Sequence, residues 1–238
     1  MTRFVFASVL LLAATSIPSA LAADKHTAST PDWSGYYAGV TVGSLAPQLA
    51  LTDVGYSGHT FAASGVTGQV FHDNNLTYKT GATLGWNRQT RLGVFGAETE
   101  FGWLDLNGTK LDPGTGSNTH VGLDSGLYGS ITGRVGKNLG KALIYGKGGW
   151  TTYSGDYLFT TQVSITAKKG LGLFQGYTAG GGVEYRVLPK WSVKGEYLYS
   201  DFGTQTLSQN SFPFKENLAT NTFSMGVNYR FLTHLRKR

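Results

Sequence analysis

Nine ionisable residues stand out by type and spacing: Glu98, Glu100, Arg134, Lys147, Glu184, Arg186, Lys194, Glu196 and Arg230. Glu98 and Glu100, Glu184 and Arg186, and Lys194 and Glu196 are each two positions apart. Side chains two apart on an extended strand point the same way, so each pair sends two charges to one face. Buried carboxylates beside cations can do acid–base chemistry, and the same grouping can be a salt-bridged filling. In a narrow interior the filling is the better reading. A Ser–His–acid site needs a His held against a Ser and oriented by an acid. The histidines are His26, His59, His72, His120 and His234, and none falls in a segment that reads as a strand. His72-Asp73 is a single dipeptide in a long connection. With no Cys there is no thiolate nucleophile, cysteine zinc site or disulfide framework. No phosphate-cradling glycine loop is present, so no catalytic residue is assigned and no enzyme is expected.

The elements that must position these charges announce themselves by alternation. The 238 residues include 34 Gly, with 13% aromatic and only 14% charged residues, against usual averages of about 7% Gly and about 25% charged. In 222–231, Phe223, Met225, Val227, Tyr229 and Phe231 share one parity and Ser224, Gly226, Asn228 and Arg230 the other. The same period of two runs through 33–44, 77–87, 93–103, 127–135, 144–152, 177–187 and 191–199. These eight segments approach the ~9–11 residues of a tilted transmembrane strand. The expected fold is all-β: a transmembrane antiparallel up-and-down barrel of eight strands, or ten if 45–76 hides a further hairpin.

Connection lengths support this. The stretches 87–91, 136–141 and 188–190 are short, whereas 45–76, 105–125, 154–174 and 203–218 are long and polar. Short turns at one rim and long loops at the other is the pattern of bacterial outer-membrane barrels. All nine charges singled out above fall on the polar parity, and no charge falls mid-strand on the apolar one, where Arg or Lys would cost about 2–4 kcal/mol at the bilayer midplane. An eight-strand barrel has an interior that side chains just fill. The expectation is a plugged polar lumen, with Gly81, Gly85, Gly180 and Gly182 making room for the long Arg and Glu chains. Trp33, Trp86, Trp103, Trp150, Trp191, Tyr197 and Tyr199 are expected in the aromatic girdles at the membrane interfaces.

The start reads as an address. Met1-Thr2-Arg3, the apolar run 4–14 and Ala20-Leu21-Ala22 form the three-part secretory pattern. The expected organisation is a signal peptide over 1–22, a periplasmic segment over 23–32, the barrel over 33–231 and a basic tail over 232–238. The long connections carry Asp53, Asp73, Asp105, Asp112, Asp124, Asp156, Asp201 and Glu216 against Lys110, Lys168, Lys169 and Lys215. The short-turn side carries Arg88, Arg91, Lys137, Lys141 and Lys190 together with the tail. Such cations suit anionic inner-leaflet headgroups, each being worth about 1 kcal/mol near such a surface. Nucleic acid is not an expected partner of an exported, lipid-facing chain.

Trp33-Ser34-Gly35-Tyr36-Tyr37-Ala38-Gly39 resembles the opening strand of the small porin-family outer-membrane proteins of alphaproteobacteria, whose barrel is OmpA-like. Gly133-Arg134-Val135-Gly136 and Tyr145-Gly146-Lys147-Gly148-Gly149 are similar to their central hairpin. Gly182-Val183-Glu184-Tyr185 and Trp191-Ser192-Val193-Lys194-Gly195-Glu196-Tyr197-Leu198-Tyr199 resemble their penultimate one, and Val227-Asn228-Tyr229-Arg230-Phe231 their last strand. The resemblance implies an outer-membrane barrel with a structural, surface-interaction role, in company with surface antigens and hemin-binding proteins. It also implies that Phe223, Tyr229 and Phe231 carry the signal read by the barrel-assembly machinery, although here Leu232 to Arg238 follow the terminal Phe. Expected partners are outer-membrane lipids, lipopolysaccharide and a host or environmental surface. No cofactor is required. A heme receptor using His59, His72 and His120, since His is a common iron ligand, and a narrow channel are the alternatives.

Overall fold

The structure is a computed structural model that describes residues 31–53, 70–73, 77–105, 110–111, 120–123, 125–161, 164–209 and 212–231. The signal segment, His26, His59, His234 and the tail lie outside these residues. Eight long strands form the staves: β1 (Gly35–Asp53), β3 (Thr77–Gln89), β4 (Val94–Asp105), β7 (Gly126–Leu139), β8 (Ala142–Thr161), β9 (Ser164–Arg186), β10 (Trp191–Gln209) and β11 (Phe212–Phe231). Three short strands, β2 (Val70–Asp73), β5 (Lys110–Leu111) and β6 (His120–Leu123), lie within the predicted long connections.

Each stave pairs antiparallel with its neighbour in the chain, and β11 returns to β1 in the register Tyr36↔Phe231 through Asp53↔Phe214. The sheet is therefore closed, which removes its edges, as a bilayer requires. The barrel has eight staves and not ten. The additional strands pair with outer extensions, β2 with β1 and β6 with β8.

The staves overrun the predicted segments at their outer ends. Residues 154–174, expected as a loop, are mostly ladder, from Ser154↔Leu173 to Thr161↔Ser164. The β10–β11 ladder similarly reaches Gln209↔Phe212. Beyond the bilayer neither face meets hydrocarbon, so the polarity alternation fades while backbone pairing persists. Register shifts between Gly155 and Tyr157, and between Asp201 and Thr204, mark this exit. At the inner rim, β7 and β8 turn through residues 140–141, with Gly140 at φ +73°, a conformation that glycine adopts without penalty.

On the outside, aromatic and branched side chains face the lipid. Trp86, Phe95, Tyr185, Trp191 and Phe231 lie near the inner rim, and Tyr78, Trp103, Tyr177, Tyr199 and Phe223 lie eight positions along the same staves. At ~3.3 Å per residue and a tilt near ~40° this separation is about 20 Å along the normal, close to the ~25 Å apolar band of such barrels.

Candidate functional site in the barrel lumen

The lumen is filled, and Glu98 is its hub. Glu98 Oε1 accepts from the Lys147 ammonium and from Lys194 Nζ at 3.2 Å, while Oε2 accepts from the Tyr37 hydroxyl at 2.7 Å and faces Arg134 Nη1 at 3.5 Å. Glu100 Oε1 accepts from Lys79 Nζ at 2.7 Å and from the Tyr128 hydroxyl at 2.6 Å. Glu184 accepts from Arg134 Nη2 at 2.9 Å, from Asn228 Nδ2 at 3.1 Å and from the Ser192 hydroxyl. Glu196 Oε1 accepts from the Tyr145 hydroxyl at 2.7 Å and Lys147 Nζ at 3.2 Å, and its Oε2 lies 3.3 Å from Lys194. Four carboxylates thus face four cations, all buried.

The local sequence explains the gathering. Glu98 and Glu100 occupy alternate positions of β4, Lys194 and Glu196 alternate positions of β10, and Lys194 lies opposite Glu184 in the ladder. Of the nine predicted charges, seven meet in this network. Arg186 and Arg230 stand apart at the inner mouth, with no carboxylate within ion-pair distance among the described residues.

Four members were missing from the predicted set: Lys79, Tyr37, Tyr128 and Tyr145. All lie on the polar parity of their strands, as alternation predicts, but parity alone does not say which of these side chains meet. The lumenal glycines also serve a different purpose from the one expected. A Cβ on Gly85 would stand 2.1 Å from the Tyr37 ring, and one on Gly81 would stand 2.2 Å from the Tyr128 hydroxyl. Gly182 faces Glu196 and the Tyr145 hydroxyl, and a Cβ on Gly180 would meet the backbone of β10. Room is made mainly for tyrosines, which hydrogen-bond the carboxylates and extend the network across the barrel.

Trp33 is the clear departure from the interfacial assignment. It is fully buried and closes the inner mouth with Val94, Leu143 and Tyr145. The Arg186 and Arg230 guanidinium carbons lie 4.8 and 4.9 Å from its ring, a cation–π arrangement. Trp33 N–H donates to Gln89 Oε1 at 2.9 Å and Nε1–H to the Gly140 carbonyl at 3.3 Å, while Arg186 Nη2 donates to the Asp32 carbonyl at 2.7 Å. The signal lay in the sequence, because Trp33 shares parity with Tyr37 and Thr41. The preference of Trp for interfaces masked it.

At the outer end the lumen changes character. Leu45, Leu104, Tyr153, Phe174, Phe202 and Leu218 are buried there, with Tyr153 6.0 Å from Phe174 and 6.5 Å from Phe202 between ring centroids. Between this apolar roof and the charges lies a cavity of about 30 Å³, bounded by Lys79, Glu100, Tyr128, Thr151, Ser200 and Phe202 among others. That is room for about two waters.

The remaining predicted aromatics face outward. Trp86, Trp103, Trp150, Trp191 and Tyr197 are exposed on the lipid side, and half-buried Tyr199 sits 6.4 Å from Tyr177. Phe223 and Phe231 face outward too, and Tyr229 packs edge-on to Phe231 at 5.4 Å and to Trp191 at 5.0 Å. His72 and His120 lie on short strands rather than in loops. His72 pairs with Ala50 of β1 and His120 with Thr160 of β8, two staves that are not neighbours.

Carboxylate oxygens of Glu98, Glu100 and Glu196 lie within 4.8 Å of one another, a spacing that could hold a metal ion. Lys79, Lys147 and Lys194 already place ammonium groups against these oxygens. The cluster neutralises itself, with three ammonium groups set against the three carboxylates.

Comparison with known proteins finds relatives among outer-membrane proteins. The 22 kDa outer membrane protein of Rhizobium leguminosarum bv. viciae is 28% identical over 199 residues, covering 84% of this chain and 78% of that protein. The 31 kDa outer-membrane immunogenic protein of Brucella melitensis is 28% identical over 251 residues, covering 97% of this chain and 100% of its own. The crystal structure of the outer membrane protein OprG from Pseudomonas aeruginosa aligns with a TM-score of 0.47 at 11% identity, covering 83% of this chain and 97% of that one. Residues 7–231 match the outer membrane protein beta-barrel domain. With its closed sheet, its lipid-facing aromatics and its charges turned inward, the chain belongs to that family and is an integral protein of the outer membrane.

Proposed function

We propose that the protein is a closed, non-enzymatic barrel that supports envelope integrity and meets host or environment through the strand extensions and connections beyond its outer girdle. The observation that carries this reading is the filling of the lumen from Trp33 through the paired charges to the apolar roof, with only a cavity of about 30 Å³ between the charges and the roof. A bore filled in this way favours the structural reading over the narrow channel. The carboxylates are engaged by Lys, Arg or Tyr, which favours a structural over a catalytic role. Two of the similar Brucella proteins, of 31 and 25 kDa, bear the word immunogenic in their names, in keeping with an exposed outer surface. We also propose cleavage of the leader after Ala22 and reading of Phe223, Tyr229 and Phe231 by the assembly machinery. The test is twofold. Purified protein in planar bilayers is expected to show no discrete openings, and protease shaving of intact cells is expected to release peptides only from 45–76, 105–125, 154–174 and 203–218. Steady unitary conductance, or protection of all four stretches, overturns the proposal.

A further inference from the structure

We infer that the inner rim of the barrel is a binding surface for the anionic headgroups of inner-leaflet glycerophospholipids. Five cations ring this rim, Arg88, Arg91, Lys137, Lys141 and Lys190, and all are exposed. None has a carboxylate within ion-pair distance among the described residues. The only described acid at this end outside the lumen is Asp32, whose carboxylate accepts from the Ser34 N–H at 2.9 Å. Arg88 and Lys137 sit on the outward parity of β3 and β7, two positions beyond lipid-facing Trp86 and Val135. Their stems therefore lie along the hydrocarbon boundary, with the charges at headgroup depth.

The second observation separates a lipid from a purely ionic partner. Each of the three turns also exposes a leucine beside its cations: Leu92 at 92%, Leu139 at 53% and Leu188 at 57%. Leucine alternating with Arg or Lys next to an aromatic girdle is the composition of a surface that dips into the interfacial layer. A glycan or an acidic protein segment would satisfy the cations and leave the leucines in water. The turns are also held in place by backbone hydrogen bonds. Thr90 N–H donates to Gly93 O at 2.8 Å, Arg186 N–H to Lys141 O at 2.8 Å and Arg230 N–H to Lys190 O at 2.8 Å. The cations are thus presented from fixed backbone positions.

The test uses the full-length mature protein in vesicles holding trace spin-labelled phosphatidylglycerol or phosphatidylcholine. Wild type is expected to enrich phosphatidylglycerol at its boundary about fivefold or more at low salt, since one cation near an anionic surface already contributes about that factor. Replacing the five cations together (Arg88→Gln, Arg91→Gln, Lys137→Gln, Lys141→Gln, Lys190→Gln) is expected to bring the ratio to about one, with the heat-modifiable gel shift showing a folded barrel. Neutralising Lys110, Lys168, Lys169 and Lys215 at the other rim is expected to leave it unchanged. If the five-site variant fails to fold, wild type at high salt gives the same reading, because screening must abolish the preference. Since the chain has no Cys, a fluorophore on Leu92→Cys or Leu188→Cys reports depth, and blue-shifted emission in vesicles is expected. Equal occupancy by the two lipids, a preference that survives removal of the five cations, water-like emission, or sedimentation with purified sacculi without any lipid preference overturns the inference.

Discussion

Glu98 offers the most direct perturbation of the lumen. It meets Lys147, Lys194, Arg134 and the Tyr37 hydroxyl at once. Glu98→Gln keeps the shape and one acceptor oxygen but removes the charge, so four buried cations then face three carboxylates. Breaking a buried ion pair by removing one partner costs about 3–5 kcal/mol, because the other charge stays desolvated. With a urea slope of ~2 kcal/mol per molar, the unfolding midpoint should fall by roughly 2 M. Unfolding is followed by tryptophan fluorescence in lipid vesicles, with the heat-modifiable gel shift as a second probe. The companion variant Glu98→Gln/Lys194→Met restores three charges of each sign, and Glu196 still keeps Lys147 and Tyr145. The double variant should therefore be more stable than the sum of the single effects predicts, with a coupling of about 1–3 kcal/mol. A Glu98→Gln midpoint within the scatter of wild type, or strictly additive effects in the double variant, refutes the view that charge balance inside the bore holds the barrel together.

Further outcomes follow from particular contacts. Single-tryptophan variants retaining only Trp86, Trp103, Trp150 or Trp191 should be quenched by brominated acyl chains, whereas one retaining only Trp33 should not. Trp33→Ala should cost about 3–5 kcal/mol in the same unfolding assay, the range for truncating a buried Trp. Gly85→Ala forces the Tyr37 ring aside and should lower the unfolding midpoint. Gly195→Ala, on the outward face with nothing within 4 Å of the new Cβ, should leave it near wild type. Mass spectrometry of the mature protein should give an N-terminus at Ala23.

The period-two pattern was enough to assign eight staves, the lipid-facing set and the inward direction of the charges. A bilayer fixes polarity residue by residue, so alternate positions of one strand cannot exchange roles without cost. Short and long connections likewise identified the two rims. Sequence also carried parity information at Trp33 that residue preference concealed, since Trp is at home both in girdles and in a polar bore. Three-dimensional closure decided the rest. Which cation meets which carboxylate depends on the relative stagger of eight strands, a property of the whole cylinder that no single strand encodes. That stagger places Tyr37 over Gly85 and gathers Lys147 and Lys194 on Glu98, from positions 49 and 96 residues away along the chain. It also separates Arg186 and Arg230 from the network and sets them against Trp33, an outcome of ring geometry rather than of local sequence. The outer extensions of β8 to β11 were illegible for a related reason: outside the bilayer, backbone pairing continues without the hydrophobic contrast that makes a strand readable.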